Sequence, residues 1–243
     1  MSASDSASFE LYNQSGDPRI VFVCDHASND LPPGYGTLGL AEAQLNRHIA
    51  YDIGAAGLTR ALATAFGAPA VLARYSRLLI DLNRGPDDPT LVMKLSDGAI
   101  VPGNAAADAA EVAKRLALYH APYHAAIAGL ILQARAQDVA PVLVSLHSFT
   151  PTWKGRQRPW QIGILWDKDG RLALPLLERL RAEPDLTVGD NEPYDGELEE
   201  DCMNRHGTQN GLAHVLIETR QDLIGDEAGV ALWAGRLERA LRD

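Results

Sequence analysis

Val21-Phe-Val-Cys-Asp25-His26-Ala-Ser28-Asn29-Asp30-Leu-Pro-Pro33 decides the reading of the whole chain. Residues 20–23 are β-branched or aromatic, which predicts a strand buried on both faces, and two prolines stop regular structure soon after it. Between them lies a cluster of polar groups. In open α/β sheets, ligands bind outside the carboxyl ends of the strands. Asp25, His26, Ser28, Asn29 and Asp30 therefore stand at the expected functional edge.

The same pattern recurs downstream. Residues 141–146 (Pro-Val-Leu-Val-Ser-Leu) read as a strand that ends in His147, Ser148 and Thr150 before Pro151. Two strands each delivering a histidine to a polar, proline-terminated loop point to a metal pair or a catalytic pair. Residues 214–217 form the last predicted strand, continuing into Glu218-Thr-Arg220-Gln-Asp222. A carboxylate directly after Val-Leu-Ile is costly to bury unless it is paired or functional, so Glu218 is a candidate general base, with a salt bridge to Arg220 or Arg77 as the alternative.

Further apolar runs at 70–73, 78–82 and 160–166 read as strands, the first two as neighbours. The second continues into Asp81-Leu-Asn83-Arg84-Gly-Pro, with Arg77 and Arg84 flanking it. Guanidinium groups around an Asn and a turn suit bidentate grip of a carboxylate. Apolar residues recurring every three to five positions predict a helix over 41–66, and 105–136, 172–181 and 229–241 also read as helices. In the first, His48 and Asp52 are spaced i, i+4, either as a surface pair or at the site mouth. In the second, His120 and His124 share a face, and Pro122 is expected to kink the helix or start a new one. A pair of histidines at this spacing can bind metal, but the Glu of HExxH is missing, so packing or hydrogen bonding is the favoured role. Residues 86–102, rich in Pro, Gly and Asp, are expected to be a long loop able to cover the site. Helices between strands make this an α/β protein, a three-layer sandwich with a mixed, mostly parallel sheet. Residues 1–17 are expected to be a loose arm and 18–243 one domain.

Composition narrows the function. The chain has 243 residues, 46% of them hydrophobic, enough for a full core, and a formal charge of −10 argues against nucleic acid or anionic membrane as partner. No run of about 20 apolar residues and no signal-like N-terminus is present, so the expected location is the cytoplasm. Two cysteines make neither a disulfide framework nor a CxxC site. Cys24 beside His26 could serve a thiol hydrolase, although a small thiol in an apolar strand is ordinarily packing. Nothing in the pattern assigns an oligomeric state.

The strand ends thus offer two histidines, one carboxylate and several arginines, with no nucleophile elbow, P-loop or GxGxxG. That inventory suits metal-assisted hydrolysis. Neutral imidazoles bind a divalent cation such as zinc, the metal lowers the pKa of a water towards about 7, and a separate Glu takes its proton. Arginines near Asn83 would hold a substrate carboxylate and, with His206, stabilise the oxyanion.

Asp25-His26-Ala-Ser28-Asn29 with Pro32, Asp81-Leu-Asn83-Arg84, Leu146-His147-Ser148, and Leu216-Ile-Glu218-Thr-Arg220-Gln-Asp222-Leu occur in an order that resembles the N-formylglutamate amidohydrolase family, over about residues 18–225. The resemblance implies kinship with zinc carboxypeptidase and aspartoacylase-like hydrolases, a mixed sheet flanked by helices, and hydrolysis of an amide next to a carboxylate, as in histidine catabolism. It implies that His26 and His147 are zinc ligands, that Asn83 and Arg84, with Arg77, Ser148 and Arg220 nearby, bind a small N-acyl amino acid, that Glu218 is the general base and that His206 assists catalysis. One position departs from the wider group: Asn29 stands where its third ligand is Glu. Either Asn29 ligates, or Asp30 or Asp25 takes over, or metal affinity is low; in that last case the chain would be a weak or inactive protein that binds acidic amino acids on the same scaffold.

Overall fold

The computed structural model describes residues 7–197 and 199–242. Seven strands form one sheet: β1 (Phe9–Tyr12), β2 (Ile20–Cys24), β3 (Ala70–Ala73), β4 (Val142–Phe149), β5 (Ile162–Leu165), β6 (Val188–Asp190) and β7 (His214–Arg220). Their spatial order is β1-β3-β2-β4-β7-β5-β6. The central β3-β2-β4-β7 set is parallel, while β1 and the β5–β6 pair run the other way. Strand β1 lies within the stretch expected to be an arm. It pairs in register with β3 from Phe9↔Ala73 to Tyr12↔Ala70.

Alternation along the strands separates two faces. Phe22, Cys24, Val144, Leu146, Val215 and Ile217 point into one core, covered by α1 (Ala55–Phe66), α4 (Ala173–Arg181) and α6 (Glu227–Arg242). Val21, Val23, Leu143 and Leu216 point into the other, covered by α3 (Ala121–Arg135) and α5 (Cys202–His206). The result is a three-layer, mixed and mostly parallel sandwich. The second face carries the chemistry: Asp25 continues the Val21, Val23 row, His147 the Leu143, Ser145 row, and Glu218 the His214, Leu216 row.

The expected helix over 41–66 is two helices, Glu42–Leu45 and α1, separated by a nonhelical segment. The break has two physical causes. The Asp52 N–H donates to His26 O at 2.9 Å instead of to a helical carbonyl. Gly54 has φ +83°, and a Cβ there would meet Ile224 O at 2.1 Å. We predict that Gly54→Ala lowers stability by roughly 2–3 kcal/mol, checked by chemical denaturation; an unchanged midpoint would contradict this account.

Residues 78–82 are buried but form no strand. Their carbonyls are satisfied by side chains, Leu78 O by Asn104 Nδ2 at 2.7 Å and Leu79 O by Arg115 Nη1 at 2.8 Å, so burial is achieved without a ladder. The helix expected over 105–136 is α2 (Ala109–Arg115), capped by Asp108, a π-helical turn over Leu116–His120, and α3. Pro122 lacks an N–H and its ring crowds the carbonyl four residues back, which displaces the preceding hydrogen bonds into the wider turn. Residues 86–102 contain a short hairpin, Leu95–Ser96 with Ala99–Ile100, held to the Arg47–His48 region through Asp97. That loop contributes nothing to the cavity wall described below.

Candidate active site

Above the carboxyl-terminal half of β4 and β7 lies a cavity of about 380 Å3. His26 and His147 lie on its floor with ring centroids 4.9 Å apart, and both are buried. Between them sits Asp52. Its Oδ2 is 2.8 Å from His147 Nδ1 and 3.3 Å from His26 Nδ1, and it accepts the Ser148 N–H at 3.3 Å. The far ring nitrogens are also held by buried carboxylates, His26 Nε2 by Asp81 Oδ1 at 2.7 Å and His147 Nε2 by Asp25 Oδ2 at 3.1 Å.

Three buried carboxylates around two imidazoles concentrate negative charge. Burial would raise the Asp52 and Asp81 pKa values, but His26, with His147 at Asp52 and Arg77 at Asp81, overrides it and holds both low. Burial is likewise overridden by His147 and His26 at Asp25, which falls to about 2. Burial alone would lower the His147 pKa, yet its bonds to Asp25 and Asp52 lift it well above the usual imidazole value. One oxygen or ring nitrogen each from His26, Asp52 and His147 lies within 4.8 Å of the other two, a donor set that fits a divalent cation. Carboxylates on the outer imidazole nitrogens are the arrangement that fixes metal-ligating histidines.

Asn29 is not brought to this triad. Its amide nitrogen donates to Leu45 O at 2.9 Å and Asn46 Oδ1 at 3.2 Å, and Asp30 is exposed. Asp25, the remaining alternative, supports His147 from behind. The third candidate ligand is Asp52, which the helical spacing with His48 had put on a surface or at the site mouth. His48 stays outside, facing Asp97 and Trp153.

Glu218 reaches the cavity from β7, opposite His147 in register. Its Oε2 is buried with no hydrogen-bond partner among the described residues, and burial raises its pKa to about 7. An unpartnered carboxylate of that acidity, facing a cavity, is equipped to exchange protons. Asn83 and Arg84 line the same cavity. Asn83 Oδ1 accepts the Cys202 N–H at 3.0 Å, which turns its amide group towards donation, and Arg84 is braced by Asn83 O at 2.7 Å and Thr90 Oγ1 at 3.2 Å.

Other expected site residues have different work. Arg77 borders the cavity, but its Nη2 donates to Asp81 Oδ2 at 2.7 Å and its Nη1 lies 3.7 Å from Asp52, so it positions the carboxylates. Ser148 lines the cavity through a backbone that holds Asp52 and a hydroxyl that donates to Ile53 O at 2.8 Å. Arg220 is outside, paired with Asp222 Oδ1 at 2.8 Å. His206 is outside as well: its Nε2 is 2.9 Å from His124 Nδ1 on the far side of the α5 wall, and burial lowers its pKa to about 4. Cys24 points into the opposite core, where burial keeps the thiol protonated, which removes the thiol-hydrolase reading. His214, not singled out by sequence, does border the cavity; its spacing of two and four from Leu216 and Glu218 was the available signal. Trp166, Asp167 and Tyr194 complete the outer wall.

Asp201, also on the wall, caps α5 by accepting the Asn204 N–H at 2.6 Å, and burial raises its pKa to about 6. The folded chain therefore holds this proton more tightly than the unfolded chain. The cost of its charge is absent below the ordinary carboxylate range and complete above pH 6. Asp201→Asn keeps a capping side chain and removes the charge. It is expected to gain about 1–2 kcal/mol at pH 8 and nothing near pH 4 in thermal melts; an equal gain at both values would contradict the assignment.

A mixed sheet with a histidine–carboxylate triad and a buried Glu at its carboxyl edge is the arrangement of a hydrolytic site. The sequence profile of the N-formylglutamate amidohydrolase family matches residues 19–225, and the chain belongs to that family. Among solved structures it is similar to gene product Atu2144 from Agrobacterium tumefaciens, at 36% identity and a TM-score of 0.94 over 100% of this chain and 96% of that one. It also shares the fold of N-formylglutamate amidohydrolase from Ralstonia eutropha JMP134, at 24% identity and a TM-score of 0.77 over 97% and 96% of the two chains. Comparison with curated proteins gave no match. No helix among the described residues is long and apolar enough to cross a membrane.

Proposed function

We propose that the protein is a metal-dependent amidohydrolase of the cytoplasm that removes a formyl or similarly small acyl group from an N-acylated acidic amino acid such as N-formylglutamate. The observation that carries this reading is the meeting of His26, Asp52 and His147 with the unpartnered Glu218 in one cavity. Zinc or a similar ion held by the triad would polarise the acyl carbonyl and acidify a water. Asp81 and Asp25 orient the two imidazoles, and Arg77 fixes Asp81. Asn83 and Arg84 grip the substrate carboxylate. Glu218 accepts the proton of the attacking water and returns it to the leaving amine, a transfer its near-neutral pKa permits in both directions.

The alternative of an inactive binding protein drew on Asn29 as a weak, neutral ligand. Asp52, lying between the imidazoles, offers a charged donor in place of Asn29 and so supports the enzymatic reading. The test is metal-depleted protein, reconstituted with zinc and offered a panel of N-acyl amino acids. Zinc-dependent release of formate from N-formylglutamate is expected; saturable binding of acidic amino acids without turnover would favour the alternative.

A further inference from the structure

We propose that His124, Cys202 and His206 form a second metal site, for a zinc-class ion, behind the catalytic cavity. One ligand atom from each lies within 4.8 Å of the other two, and all three side chains are buried. The arrangement is built from two elements. Cys202 and His206 are i, i+4 on α5 and so share a face, and His124 comes from α3 just after the π-helical turn. His124 Nδ1 and His206 Nε2 point at one another across 2.9 Å. The other ring nitrogen of His124 is buried without a partner among the described residues, which a fully hydrogen-bonded core histidine would not leave.

Ligands of one tetrahedral ion lie about 3.3–3.8 Å apart, so the site closes with shifts on the order of 1 Å. A thiolate with two imidazoles selects zinc or another borderline-soft ion over magnesium or calcium. Binding breaks the Cys202 S–H bond, forms a sulfur–metal bond and releases the proton to solvent. Asp25, the carboxylate that holds His147, also acts electrostatically on the Cys202 thiol. The acidic Asp25 and Asp201, the basic Arg205 and the titratable His120, its ring centroid 4.3 Å from that of His124, act on the trio.

Titration of chelator-stripped protein with Co2+ tests this directly, because the catalytic triad contains no sulfur. Two equivalents are expected, one of them with a thiolate-to-cobalt charge-transfer band in the near ultraviolet. His147→Ala should lose one equivalent and keep the band; Cys202→Ser should lose the band and keep an equivalent. A single equivalent without the band overturns the second site and leaves the catalytic reading intact, and needs no variant that folds poorly. A band that survives in Cys202→Ser also overturns it, by pointing to Cys24.

Discussion

Glu218→Gln is expected to lower kcat by about 10²- to 10⁴-fold while leaving KM for an N-formyl amino acid within a few fold. The substitution preserves shape and removes the one cavity carboxylate with a buried oxygen that lacks a hydrogen-bond partner among the described residues, its pKa lifted by burial to about 7. Because the base acts in its ionised form, kcat/KM of the native protein should fall about tenfold per pH unit below that pKa. A cation at the triad would draw the break to or below pH 7. The variant should lack this acid limb. Stability supplies a second readout. The folded chain binds the Glu218 proton more tightly than the unfolded chain, so the burial penalty is absent below the ordinary carboxylate range and complete above pH 7. Glu218→Gln should accordingly be more stable than the native chain at pH 8, by about 2 kcal/mol, and no more stable at pH 4. Full activity in the variant would sink the assignment.

Asp52→Asn is expected to carry the second large effect. Its Oδ2 is the point at which both imidazoles and the Ser148 N–H converge, and no other carboxylate reaches both Nδ1 atoms among the described residues. Loss of a direct ligand should weaken metal binding by at least roughly 100-fold, more than the loss of an outer partner, and activity should fall with it. His147→Ala should behave alike in elemental analysis. Asn29→Ala, whose side chain only ties the loop to Leu45 and Asn46, should retain full metal content. Metal lost from Asn29→Ala and kept by Asp52→Asn would reverse the ligand assignment.

These two cases differ in how they could be read. Glu218 was legible because a charge at the end of an apolar strand run is anomalous in itself, and strand periodicity fixes the face on which it falls. His26 and His147 were legible for the same reason: each ends or interrupts a strand whose apolar residues declare burial. Asn83 and Arg84 followed from a polar cluster after an apolar run, even though that run is a buried loop. Asp52 was not legible. Helical periodicity from 41 to 66 assigned it a helix face, and only the long-range bond to His26 O and the positive φ of Gly54 break that helix. His206 was misplaced because a histidine before the last strand gives no indication of which side of α5 it faces.

What the amino-acid sequence determined by itself is what short-range physics encodes: the apolar strands, their alternating faces, the polar strand ends and the order of the family's motifs. Tertiary structure alone decided which groups meet. Asp52 and His147 are 95 residues apart and Cys202 and Asn83 are 119 apart, yet each pair is hydrogen-bonded. Contacts of that separation depend on how the sheet orders its strands and where a helix is interrupted. Those outcomes are set by packing the whole chain, so the triad emerges only when the layers close around it.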